Sequence, residues 1–173
     1  SAALLYQKAA EEHPTQIEPL LGLARSLSAL GDSDAAIIVF DQTLTLERNN
    51  SEARRGLALA YLGKGQPALA LPHLDVLKKS QPIDHRPHNL EGVAFDMMGR
   101  HAEAQDSYRT GLELAPTNVA LRNNLGLSLA LSGDVATAVE VLGAVAGEPD
   151  ASVRTRQNLA LALGLAGDID AAR

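Results

Sequence analysis

Residues 85–118 read HRPHNLEGVAFDMMGRHAEAQDSYRTGLELAPTN, and this stretch of 34 residues decides the fold. It holds two helical segments, the first closed by Gly99 and the second by Pro116. Glycine takes up the left-handed conformation at a helix end with little strain, and proline cannot continue a helix. The same punctuation returns along the chain. Gly31, Gly65, Gly99, Gly133 and Gly167 stand 34 residues apart, as do Ala2, Ala36, Ala70, Ala104, Ala138 and Ala172. Such a period marks an array of helix pairs, each touching only its neighbours, with a seam for a core.

With Ile17 as position 1, whole units span 17–50, 51–84, 85–118 and 119–152. Residues 1–16 form the second half of an earlier unit, and 153–173 the first helix and the start of the second of a later one. Position 8, where the helices of a unit cross, is small throughout: Ala24, Ala58, Gly92, Gly126 and Ala160. Position 20 is the recurring alanine. Position 11 is large (Leu27, Tyr61, Phe95, Leu129, Leu163), and so is position 24 (Tyr6, Phe40, Leu74, Tyr108, Leu142). Prolines near position 32 close the second helices at Pro14, Pro82, Pro116 and Pro149. This pattern resembles the tetratricopeptide superfamily over the whole chain. The resemblance implies an all-α fold, a right-handed superhelix of about five stacked antiparallel helix pairs, with first helices lining the concave face. The departures are local. Glu91 stands where leucine is usual, Arg48 where proline is usual, and position 4 carries Arg54, His88, Arg122 and Arg156. Pro72 lies inside a second helix that opens at Pro67, and predicts a kink or a late helix start.

Composition narrows the function classes. The net charge is −6, no lysine or arginine run appears, and aromatics make up 3%, which speaks against a nucleic-acid surface. With no cysteine there is no disulfide, thiol nucleophile or cysteine metal site. No stretch approaches the ~18 apolar residues of a membrane span, and no signal peptide is present. The chain starts and stops inside repeat units and has the look of a fragment, so targeting signals are expected upstream. His85 and His88, with Asp84 nearby, have metal-ligand spacing but sit at a helix start beside Pro87, where polar residues belong anyway. Gly63-Lys64-Gly65-Gln66-Pro67 lacks the spacing and hydroxyl of a phosphate loop. No nucleophile–base pair is readable, so neither an enzyme site nor a cofactor is expected.

In tetratricopeptide arrays, positions 2, 5, 9, 12 and 13 of the first helix face the concave surface. Position 9 holds Arg25, Leu59, Val93, Leu127 and Leu161, and position 13 holds Ala29, Gly63, Met97, Leu131 and Leu165. Position 5 holds Leu21, Arg55, Asn89, Asn123 and Gln157, and Arg86 and Arg154 fall at position 2. From residue 89 onward this predicts an apolar strip of Val93, Met97, Leu127, Leu131, Leu161 and Leu165 beside a ladder of amides. In the first helix 119–132, Arg122 is the only charged residue. A solvated face is normally polar, so these leucines await a partner, or a further repeat or capping helix covers them. Arg55 and Leu59 extend the candidate site, with Arg86 on its rim. The amides suit a partner's backbone. The strip suits an amphipathic helix or an apolar extended peptide. A clamp for acidic C-termini wants lysine at position 5 with asparagine at position 9, and that pairing is absent. The position-4 arginines fit a structural role over helix stems, with a basic ladder as the alternative.

Three stretches resemble a narrower family: VAFDMMGRHAEAQDSYRTGLELAP at 93–116, NNLGLSLALSGD at 123–134 and VRTRQNLALALGLAGD at 153–168. They look like TadD, the tetratricopeptide lipoprotein of the tight-adherence (Flp) pilus assembly system. The resemblance implies the periplasmic face of a bacterial outer membrane, reached through a lipid anchor outside this chain. It implies a non-catalytic role as pilotin or assembly factor for the secretin, whose short segment would sit in the groove. The other readings are a self-associating scaffold and the recruiting arm of a larger complex or enzyme.

Overall fold

The computed structural model describes residues 2–149 and 151–167. Among the described residues every regular element is an α-helix, and there are ten. The chain divides into two compact units, 1–82 and 83–173. The first unit contains α1 (Ala2–Glu12), α2 (Ile17–Ala29), α3 (Ser33–Leu46), α4 (Ser51–Gly63) and α5 (Pro67–Ser80). The second contains α6 (His85–Met97), α7 (His101–Leu114), α8 (Val119–Leu131), α9 (Val135–Ala146) and α10 (Val153–Leu165). Within each unit every helix packs on the one before and the one after it. First helices also touch one another: α2 meets α4, α6 meets α8, and α8 meets α10.

The helix ends follow from side chains. Asn50, Asn118 and Ser152 cap α4, α8 and α10 by accepting the N–H three residues on, and Asp32 and Asp134 do the same for α3 and α9. The periodic glycines all have positive φ, between 69° and 93°, as the inter-helix turn requires. α3 ends at Leu46 without a proline, with Glu47 N–H bonded back to Thr43 O.

The seam is built at the positions the repeat marks. Ala24, Ala36, Ala58, Ala70, Ala104 and Ala138 are wholly buried, while Ala2 is exposed and Ala172 lies outside the described residues. A Cβ on Gly92 would lie 2.4 Å from the Tyr108 ring, and one on Gly126 2.6 Å from Leu142 Cγ. The partner of each crossing is thus a large position-24 side chain driven onto bare backbone.

One expectation fails in part. α5 starts at Pro67 and continues through Pro72, so there is no late start. Proline removes the bond to the carbonyl four residues back, that of Ala68. Both Ala68 and Pro72 are exposed, so water can satisfy that carbonyl. Among the described residues, no helix is long and apolar enough to cross a membrane.

Candidate functional site

In the first unit, the face of α2 and α4 is ionic. Arg25 Nη2 donates to Glu18 at 2.9 Å and Nη1 to Glu52 at 2.8 Å, so one guanidinium ties the two helices together. These two hydrogen bonds raise the Arg25 pKa further above its ordinary value. Beside them lies a cleft of about 440 Å³ lined by Arg25, Ser28, Phe40, Glu52, Arg55 and Leu59. Arg55 is half-buried and Leu59 is exposed.

In the second unit, α6, α8 and α10 replace that chemistry. Met97, Leu131, Leu161 and Leu165 are exposed to 46%, 51%, 45% and 54%, while Val93 and Leu127 are half-buried. Each helix contributes two apolar side chains one turn apart, at positions that are neighbours on a helix surface. Arg86 is exposed and bound to Asp84, whose carboxyl it holds below the usual range.

Beside the strip the asparagines join in a chain. Asn158 Nδ2 donates to Asn123 Oδ1 at 3.1 Å, Asn123 Nδ2 to Asn124 Oδ1 at 3.3 Å, and Asn124 Nδ2 to Asn89 Oδ1 at 3.0 Å. Asn123 is buried, Asn89, Asn124 and Asn158 are half-buried, and Gln157 is exposed. The amides at positions 5 and 6 of successive first helices thus stitch α6 to α8 and α8 to α10. Sequence reasoning named Asn89 and Asn123 but missed Asn124 and Asn158. The signal was a spacing of 35, one more than the repeat, from position 5 of one unit to position 6 of the next.

A second polar cluster lies inside this unit. The Asp96 carboxylate accepts from Ser128 Oγ at 2.7 Å and Tyr108 OH at 2.9 Å, and bonds His101 Nδ1 at 2.8 Å. Burial, then the Asp96 charge, pushes the Tyr108 phenol far above its ordinary range. Glu91, in its leucine position, is buried and accepts from Ser107 Oγ at 3.0 Å. Both acids meet donors from neighbouring helices, which is how buried polar groups are kept. Ser128 and Tyr108 are almost fully buried, so the Asp96 cluster clamps α6, α7 and α8.

The remaining candidates are committed elsewhere. Asp84 accepts the Arg86 N–H at 2.9 Å, and His85 Nε2 lies 3.1 Å from Asn118 Nδ2. Among the described residues no three His, Asp or Glu side chains are grouped to hold a metal. Gly65 closes a helix end, where Gln66 N–H bonds Tyr61 O at 2.9 Å, and Lys64 pairs with Asp34. Arg54 donates to Arg48 O at 2.6 Å, and Arg122 to Thr117 O at 3.1 Å while pairing with Glu148 at 2.7 Å. These two position-4 arginines fasten the turn that precedes their own helix.

The tetratricopeptide repeat family pattern matches residues 21–84 and 90–152. The chain belongs to the tetratricopeptide repeat family. An uncharacterized protein, y4yS, of Sinorhizobium fredii is 37% identical over 109 residues, 63% of this chain and 59% of that protein. The chain therefore spans less than two thirds of that relative. A MamA structure (residue 41 to the end) from Desulfovibrio magneticus superposes with a TM-score of 0.78 at 27% identity, over 83% of this chain and 81% of that one. A tetratricopeptide repeat protein from Parabacteroides merdae shares the fold at a TM-score of 0.84 and 16% identity, over 98% of this chain and 66% of that one. Stacked repeats of this family present extended surfaces to protein partners.

Proposed function

We propose that the chain is a non-catalytic protein-binding module, the periplasmic repeat region of a Tad (Flp) pilus assembly lipoprotein. It acts as pilotin or assembly factor for the outer-membrane secretin and seats a short secretin segment on its first-helix face. The observation that carries the binding reading is the uncharged strip of exposed Met97, Leu131, Leu161 and Leu165. Exposed apolar side chains grouped in this way mark an interaction surface rather than a solvated one. Support for the pilus assignment is the TadD-like wording of residues 93–116, 123–134 and 153–168. The lipid anchor and the outer-membrane location belong to that assignment.

The test is photo-crosslinking from position 127 of the full-length protein in its native cells, read by mass spectrometry. A secretin in the crosslinked band supports the whole reading. A different envelope protein keeps the binding module and removes the pilotin role. The protein crosslinked to itself replaces partner binding with a scaffold.

A further inference from the structure

The chemistry of the second unit's first-helix face selects the conformation and the charge of its occupant. This inference rests on the face being a binding site, as proposed above. Any segment seated there must bring its backbone N–H and C=O groups out of water. An extended segment leaves those groups to be met by the receptor, and each one left unmet weakens binding. The amides beside the strip are poorly placed to meet them. Asn123 is buried, and Asn89, Asn124 and Asn158 are turned along the surface onto one another. Of the ladder's amides Gln157 alone stays exposed, too few to meet an extended backbone, and the strip itself is apolar: two side chains from each of three helices that touch in sequence. An α-helix satisfies its own backbone and needs only apolar contact along one stripe. With first helices ~8–10 Å apart, the strip runs about 20 Å, which an α-helix covers in roughly 13 residues.

The charge around the strip is one-sided. α8 and α10 contain no acidic residue, and the acids of α6 are Glu91, which is buried, and Asp96, which is held by three partners. On the same helices stand the exposed Arg86, Arg154 and Arg156. Arg86 is offset by Asp84, whereas Arg154, in the first turn of α10, has no ion-pair partner among the described residues. Rim charges of one sign steer partners of the opposite sign.

We propose that the α6–α8–α10 face takes an amphipathic α-helix of about 13 residues or more, its apolar stripe flanked by Asp or Glu on the Arg154 side.

The experiment uses two labelled 18-residue peptides and fluorescence anisotropy. The first has leucines at i, i+3, i+4 and i+7 spacing with glutamates beside them. The second differs only by two central alanines changed to proline, which bars the helix. The helical peptide should bind at least tenfold more tightly than the proline peptide. Leu131→Asp and, as a milder check, Leu131→Ser should abolish binding while circular dichroism is unchanged. Arg154→Glu should weaken binding severalfold, and added salt should weaken it as well. Equal or tighter binding of the proline peptide overturns the helical occupant and leaves the groove standing. Binding of neither peptide, or binding indifferent to Leu131→Asp, removes the groove and the inference together. Full affinity in Arg154→Glu overturns the acidic flank.

Discussion

The first helices of the two units are cut to one pattern and present opposite surfaces. At position 2 the first unit has Glu18 and Glu52, the second Arg86 and Arg154. At position 9 the first unit opens with Arg25, held between those two glutamates, while the second has Val93, Leu127 and Leu161. Inter-helix ties are ionic in the first unit and made of neutral amides in the second. Yet the crossings beneath are alike: position 8 is small and buried in both, Ala24 and Ala58 in the first unit, Gly92 against Tyr108 and Gly126 against Leu142 in the second. The lesson is a separation of duties. Positions 8, 20 and 24 hold the helix pairs together, and the first-helix face is free to vary without disturbing them.

The sharpest way to break that separation is to strike the shared layer. Tyr108→Ala should destabilise the second unit by about 3–5 kcal/mol, since it empties a buried site and strips Asp96 of a donor. Urea unfolding followed by circular dichroism measures it. A loss below 1 kcal/mol would mean the crossing is not what holds the pair. Leu127→Asp probes the other duty: it should abolish partner binding while helicity stays at the wild-type level, and a collapse of helicity would move Leu127 into the core. Asn124→Ala severs the amide chain at its middle and should cost about 1–2 kcal/mol, because Asn123 and Asn89 each lose a partner. Thermal unfolding reads this, and the matching ionic tie serves as the contrast. Arg25→Ala should cost under about 1 kcal/mol, since exposed pairs are screened. That loss should shrink further in high salt, whereas the Asn124 effect should not.

A pH experiment separates the units further. Burial lowers the His73 pKa below 6.5, with the nearby Arg54 charge acting the same way and Asp41 opposing; the ring stacks on Tyr61 with centroids 5.9 Å apart. The unfolded chain therefore takes up the proton first on acidification. The His73 contribution is intact above about pH 6.5 and is lost as pH falls through that value toward the lower folded pKa. The urea midpoint should drop between pH 7.5 and 5.5 in the wild type and less in His73→Leu. In the second unit the same repeat position is Ser107, which does not titrate in this range.

Much of this was legible in the chain. The glycine turns and the buried alanines follow from a period of 34, because left-handed turns and close helix crossings admit few residue types. Pro72 does not delay the start of α5: the proline rule is local, and whether a freed carbonyl meets water depends on which way it faces. Glu91 was visible as a departure, but its satisfaction by Ser107 was not, since the two belong to different helices. The amides at position 5 were read as outward groups and those at position 6 were not read at all, and only their arrangement in space turns them on one another.

By itself, then, the sequence determined the repeat, the helix limits, the crossing layer and the apolar character of the second unit's first-helix face, all of which depend on residue type at a fixed spacing. The tertiary structure decided which polar side chains remain available. Asp96 is spent on Tyr108, His101 and Ser128, Arg25 on two glutamates, and Asn123 on its neighbours. Hydrogen bonds are directional and short, so their pairing is settled by ångström-scale placement of helices that periodicity does not specify.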